Sequence, residues 1–224
     1  MSEVDLIRIM TNTSLCGLYV QYGCGMSAPP SWVNFDSSPT LYFERIPIIG
    51  RLYTKNETRF PESIQYGDIV KGLPLAAGSC AGMYACHVLE HLALEDFRIA
   101  LRNTFNLLRP SGIFRLVVPD LEVAVKKYVS SEAADAAESL LRDTLLGRTA
   151  RPKGLAGSFK AFLGHADHSW MWDYKGLARE LSAVGFSEIR RCQLGDSEDN
   201  MFVGVESPER FVDSVAVQCR RPNS

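Results

Sequence analysis

The sequence predicts an α/β fold, a mostly parallel sheet with helices on both faces. Short apolar runs alternate with stretches whose apolar residues recur at helical spacing. One run, Ile113 to Val118, is almost uninterruptedly apolar or β-branched and stops at Pro119, as a strand buried on both faces of a parallel sheet does. The first run, Leu15 to Tyr22, delivers the chain into Gly23-Cys24-Gly25, and ligands in open α/β sheets sit beyond such strand ends.

Taken in order, Leu15 to Tyr22 is the first strand, and Trp32-Val33-Asn34-Phe35-Asp36 is a short second one ending on an acid. Residues 40–62 hold Pro47, Gly50 and Pro61 with no clean period, so irregular chain with room for a short helix is expected. Ile64 to Val70 reads as a third strand, turned by Leu73-Pro74-Leu75, and Gly82 to Cys86 as a fourth. From about Glu95, the set Phe97, Ala100, Leu101, Thr104, Phe105 and Leu108 lies on one helical face, and Pro110-Ser111-Gly112 stops that helix. Residues 121–147 place Val125, Tyr128, Leu140, Leu141 and Leu145 at helical spacing. A Gly/Arg/Pro/Lys stretch over 147–157 then leads to the His- and Trp-dense segment Gly164 to Trp172. Asp173 caps a helix over Tyr174 to Val184, closed by Gly185, and Ile189–Leu194 and Val212–Cys219 are the last strands, with antiparallel pairing allowed.

Composition narrows the function classes. The 224 residues carry 24 Lys+Arg against 26 Asp+Glu, with 46% hydrophobic and 22% charged residues, an ordinary globular balance. A net charge of −2 disfavours a nucleic acid or an anionic membrane as the main partner. No apolar run reaches the ~18 residues of a membrane span. Six cysteines form no C-x-x-C pair, and Glu3, Asp5 and Arg8 interrupt any leader pattern, so a reduced cytoplasmic protein is expected. One domain over 1–224 is expected, with 121–172 as a helical lid or substrate insertion.

The glycine turn is selective about its ligand. A dinucleotide site needs a third glycine and an immediate helix, whereas Met26-Ser27-Ala28-Pro29-Pro30 follows here, and its prolines oppose a helix. Only seven residues (26–32) separate Gly25 from Val33, so the first crossover helix must be reduced or absent. A cofactor without phosphates loses nothing by that.

Val20 to Gly25 resembles the first motif of class I S-adenosylmethionine (SAM)-dependent methyltransferases. Asp36 falls at that family's ribose-binding acid, and Gly67-Asp68-Ile69 with Leu73-Pro74-Leu75 is similar to its adenine-flanking segment. Cys86 to Leu92 resembles the family's hvLEHl sequence after strand four, Leu108 to Gly112 its LkPGG, Val118 to Leu121 its strand-five end, and Leu177 to Phe186 its late L…lL…aGF helix. The shortened GCG-to-WVNFD connection resembles a subgroup of predicted methyltransferases. The resemblance implies a Rossmann-like sheet, SAM as cofactor, and a cofactor site built from Gln21, Tyr22, Gly23, Cys24, Gly25, Asp36, Ser37, Asp68, Ile69, Cys86 and His87. Gln21 stands where many relatives carry an acid, and Ala81 where FD is usual.

The acceptor implied is a small molecule or a glycan precursor. His168 is the first candidate for its base and Asp120 the second, with loop hydrogen bonding and strand-end capping as their respective alternatives. Trp170 and Trp172 could face the acceptor or pack; Arg148, Arg151 and Lys153 form a basic loop. Cys24 and Cys86 suit packing better than nucleophilic work. A cofactor-binding protein without catalysis is an alternative. The sequence His87-Val88-Leu89-Glu90-His91 also matches the H-x-x-E-H motif of zinc hydrolases, with Asp120, Glu122, His165 or His168 as a third ligand. The preferred reading places His87 in the cofactor cleft and assigns no metal.

Overall fold

The computed structural model describes residues 17–47, 58–147 and 167–223. Its strands are β1 (Leu18–Tyr22), β2 (Val33–Asp36), β3 (Ile64–Tyr66), β4 (Cys80–Cys86), β5 (Leu108–Pro119), β6 (Ser187–Arg191) and β7 (Ser214–Arg220). The helices among the described residues are α1 (Pro39–Glu44), α2 (Leu94–Leu107), α3 (Leu121–Ser130), α4 (Ala136–Asp143) and α5 (Tyr174–Val184). One seven-stranded sheet runs in the order β3-β2-β1-β4-β5-β7-β6. Its first five strands pair in parallel, while β7 runs antiparallel to both β5 and β6.

Alternation along the strands divides the core between two faces. Val20, Met83, Phe114, Leu116, Val118, Val215 and Val217 pack on one face against Phe97 and Leu101 of α2 and Leu177 and Leu181 of α5. Tyr84, Ile113, Val117 and Ala216 point the other way, onto Trp32 and Phe202. Phe202 belongs to a short 3₁₀ segment, Asn200–Gly204, that packs on this face.

The first crossover helix is absent, as its short connection requires. Residues 23–32 form turns, held by two side-chain amides from neighbouring strands. Gln21 and Asn34 are register partners in β1 and β2, and Gln21 Nε2 donates to Asn34 Oδ1 at 2.6 Å and to the Ser27 carbonyl at 3.0 Å. Asn34 Nδ2 in turn donates to the Pro29 and Trp32 carbonyls. Backbone groups that a helix would satisfy internally are thus met by buried amides.

Strand ends differ from the sequence expectation for local reasons. β3 stops at Tyr66 because Asp68 takes the Val70 N–H at 2.9 Å and turns the chain. β5 begins at Leu108, directly after α2, because Ser111 and Gly112 exchange backbone bonds with Arg221 (2.9 and 3.0 Å). The Pro110-Ser111-Gly112 stop therefore ends the helix but lies inside the strand. Residues 40–62 contribute α1, capped by Ser38 and started by Pro39.

Candidate functional site

The glycine turn lies at the carboxyl end of β1. Gly23 and Gly25 have φ of 63° and 55°, and a Cβ on Gly23 would lie 2.3 Å from Val88, in the loop after β4. Glycine at 23 thus lets β1 pack against that loop, while space beside Gly25 is open within 4 Å. Asp36, at the end of β2, is buried and accepts the Gly25 N–H (2.8 Å) on Oδ2 and the Ser38 N–H (2.7 Å) on Oδ1. Burial raises its pKa above the ordinary carboxylate value, against the pull of those two N–H groups. Each oxygen retains acceptor capacity for one further donor. Exposed Ser37 follows it.

Other expected cofactor residues divide into two groups. Asp68 spends Oδ1 on Val70 and faces Lys71 across 3.4 Å, with its side chain part-exposed. Ile69 is buried beside it, and its carbonyl accepts from Asn103 at 2.7 Å. In contrast, the side chains of Gln21 and Tyr22 turn inward: Gln21 holds the 23–32 loop, and Tyr22 meets Thr104 on α2 at 3.1 Å and stacks on Phe114. Cys24 packs toward Leu41, Phe60 and Ile64, and Cys86 toward the Trp32–Tyr84 cluster. Burial pushes their thiols up to about 12 and about 11, which makes both poor nucleophiles.

A cavity of about 460 Å³ opens beyond the ends of β4 and β5, beneath α3 and α4. His87, Asp120, Lys127, Tyr128, Asp143 and Asp213 supply its polar wall. Asp120 reaches it as the cap of α3, accepting the Glu122 N–H at 2.8 Å, with Arg191 3.6 Å from its second oxygen. His87, at φ 52°, is held by the Arg210 carbonyl at 2.9 Å. Burial works against its charged form, but Glu90 and that carbonyl outweigh it and raise the His87 pKa.

His168 lies elsewhere. Its side chain is 7% exposed and does not line the cavity; its ring meets His91 edge-on at 5.0 Å, and Nε2 lies 3.9 Å from Glu90. Burial lowers its pKa. Trp172 is buried, stacked on Phe97 at 4.2 Å, whereas Trp170 is exposed. His165 and the basic loop Arg148, Arg151 and Lys153 fall outside the described residues.

Comparison with solved structures bears on the fold. A SAM-dependent methyltransferase from Thermotoga maritima, described as a possible histamine N-methyltransferase, matches with a TM-score of 0.51 and 14% identity, over 97% of this chain and 88% of its own. The chain has the class I methyltransferase fold. YcgJ of Bacillus subtilis is 13% identical over 99% of this chain and 100% of its own, at a TM-score of 0.49. PigF with SAH is 14% identical over 92% of this chain, at 0.47; the chain spans 50% of the length of PigF. No family model matches the chain, and no curated protein does.

Within this methyltransferase fold, sequence reasoning missed most of the cavity wall. Val123, Ala124, Lys127 and Tyr128 share one face of α3, at spacings the sequence displays; Thr144 enters as the C-cap of α4, but Asp213 arrives from a distant loop with no local signal. No helix among the described residues is long and apolar enough to cross a membrane.

Proposed function

We propose that the protein transfers a methyl group from SAM to a small-molecule or glycan-precursor acceptor. The observation that carries this is the adjacency of two features along one sheet edge. The open glycine turn with Asp36 and Asp68 lies at β1–β3, and the 460 Å³ cavity at β4 and β5. That volume lies in the ~300–1,000 Å³ range of small-molecule sites.

The cofactor fits the residues present. Asp36 has acceptor capacity for two ribose hydroxyls and Asp68 for the adenine amine, while the Ile69 N–H can donate to a ring nitrogen. The backbone of Gln21 to Gly25 approaches the methionine portion, with Ser37, Cys86 and His87 at the margin. When bound, SAM supplies a methyl already activated by its sulfonium. The chain then has to orient the acceptor, exclude water and take a proton. Asp120 is the wall carboxylate assigned to the proton, in preference to His168, which does not line the cavity. With Asp143 and Asp213 nearby, the cavity suits an acceptor bearing hydroxyl or amine groups.

Calorimetry with SAM tests the reading: micromolar binding is expected, weakened at least about tenfold by Asp36→Ala or Asp68→Ala. Absence of binding heat would end it. On a panel of hydroxyl- and amine-bearing compounds, Asp120→Asn is expected to lower kcat by about 10²–10⁴-fold with SAM affinity unchanged.

A further inference from the structure

The loop after β4 buries a carboxylate that no described residue satisfies. Glu90 is 0% exposed, and among the described residues neither carboxylate oxygen has a hydrogen-bond partner. Three imidazoles surround one of those oxygens, Oε1: His87 Nδ1 at 3.5 Å, His91 Nε2 at 3.9 Å and His168 Nε2 at 3.9 Å. These separations are too long for hydrogen bonds.

Tautomers sharpen the anomaly. His91 Nδ1 lies 3.0 Å from the Asp167 carbonyl, and His87 Nε2 lies 2.9 Å from the Arg210 carbonyl. A carbonyl only accepts, so each of those nitrogens carries the ring's proton in the neutral form. The opposite nitrogen, facing Glu90, then presents a lone pair. Lone pairs aimed at an unpartnered carboxylate repel it unless a proton or a metal cation lies between. His168 adds a buried Nδ1 that also has no hydrogen-bond partner.

We propose that Glu90, His91 and His168 form a binding site for a divalent first-row transition cation, zinc by preference. Each residue offers a ligand atom, and these atoms all lie within 4.8 Å of one another. Zinc bonds of about 2.0–2.1 Å set tetrahedral ligands roughly 3.3 Å apart, so closing onto the ion needs only side-chain adjustment. Imidazole with one carboxylate suits zinc rather than calcium or magnesium, and a second ring N–H given to a backbone carbonyl, as in His91, is the usual outer support of a zinc-bound histidine. Three protein ligands leave a fourth position for water.

The site is not the helical H-x-x-E-H arrangement. Leu89–His91 is a single 3₁₀ turn, Glu90 faces the ion in place of acting as base, and His168 completes the set. None of the three ligands lines the acceptor cavity. The ion would instead clasp residues 167–170 to the loop after β4. Ser169 and Trp170 already donate to the Glu90 carbonyl there, at 2.8 and 3.1 Å.

The test uses the full chain without an affinity tag, stripped by a chelator and titrated with zinc chloride against a chromogenic competitor. One zinc per chain and a zinc-dependent rise in Tm are expected. Cobalt should give the visible bands of a four- or five-coordinate ion. His91→Ala and His168→Ala should each weaken zinc by at least the roughly 10–100-fold that lost outer-shell support costs. Glu90→Gln, which keeps the shape and removes the charge, should do the same and abolish the Tm response, so the test survives if a histidine variant fails to fold. Substoichiometric zinc in the wild-type chain would overturn the site, as would unchanged affinity in Glu90→Gln. A Tm indifferent to zinc, as expected if protonated histidines simply pair with Glu90, would overturn it too.

Discussion

Arg115 is the largest fully buried side chain among the described residues, and it sits mid-strand in β5. Its guanidinium donates to Glu206 (2.7 Å), Asp196 (3.0 Å), Gln218 (2.7 Å) and the Gln193 carbonyl (3.0 Å), and lies over the Phe202 ring. This cluster fixes the β6–β7 connection against the Phe202 face of the sheet. Arg115→Met would leave Glu206 and Asp196 without their buried cation, at a cost of about 3–5 kcal/mol in urea unfolding. A loss under about 1 kcal/mol would show that the connection is held by its apolar contacts alone. In the sequence the residue is submerged in an apolar run that reads as strand. Its partners lie 78 to 103 positions away, so no periodicity reveals them. Gln21 is similar: its place in the glycine motif is legible, but its side chain's pairing with Asn34 depends on strand register.

Elements with local signals were legible almost to the residue. α5 spans Tyr174–Val184 as expected, because Asp173 accepts the Gly176 N–H at 2.7 Å and Gly185 closes the last turn. α2 begins at Leu94, one residue before the expected start, with the expected apolar face inward. What the sequence does not show is how the two helices are coupled. Arg98 on α2 makes a two-bond pair with Glu180 on α5, at 2.8 and 3.0 Å. The Arg98 hydrogen bond holds the Glu180 carboxyl below its ordinary value of 4.5, against the opposing effect of burial. A depressed carboxylate contributes stability that is complete above the unfolded value and fades as pH falls through the folded one. Glu180→Gln is therefore expected to lose stability by a constant, modest amount at neutral pH. The gap from wild type should narrow below about pH 4.5 in denaturant titrations. A gap independent of pH would assign the loss to packing.

At the scale of the molecule, the stretch 121–172 is tied down where it leaves the sheet and where it returns. Both of its ends meet at one place: Asp120 and Trp172 form a parallel bridge, and the Leu121 N–H donates to the Trp172 carbonyl at 2.8 Å. A segment that leaves and returns at one point can vary without disturbing strand order. The sequence marks 164–172 as rich in histidine and tryptophan. It cannot rank the two tryptophans, because chain that is neither helix nor strand has no period to separate inside from outside. The structure does rank them. Trp172 is 2% exposed and stacked on Phe97 of α2, while Trp170 is 42% exposed two residues earlier. Trp172→Ala should cost about 3–5 kcal/mol, as removal of a fully packed tryptophan does. Trp170→Ala keeps the backbone bond to Glu90 and should stay within about 0.5 kcal/mol of wild type. Equal losses in the two variants would mean that residues 167–172 rest on α2 through a broader contact than the Trp172–Phe97 stack.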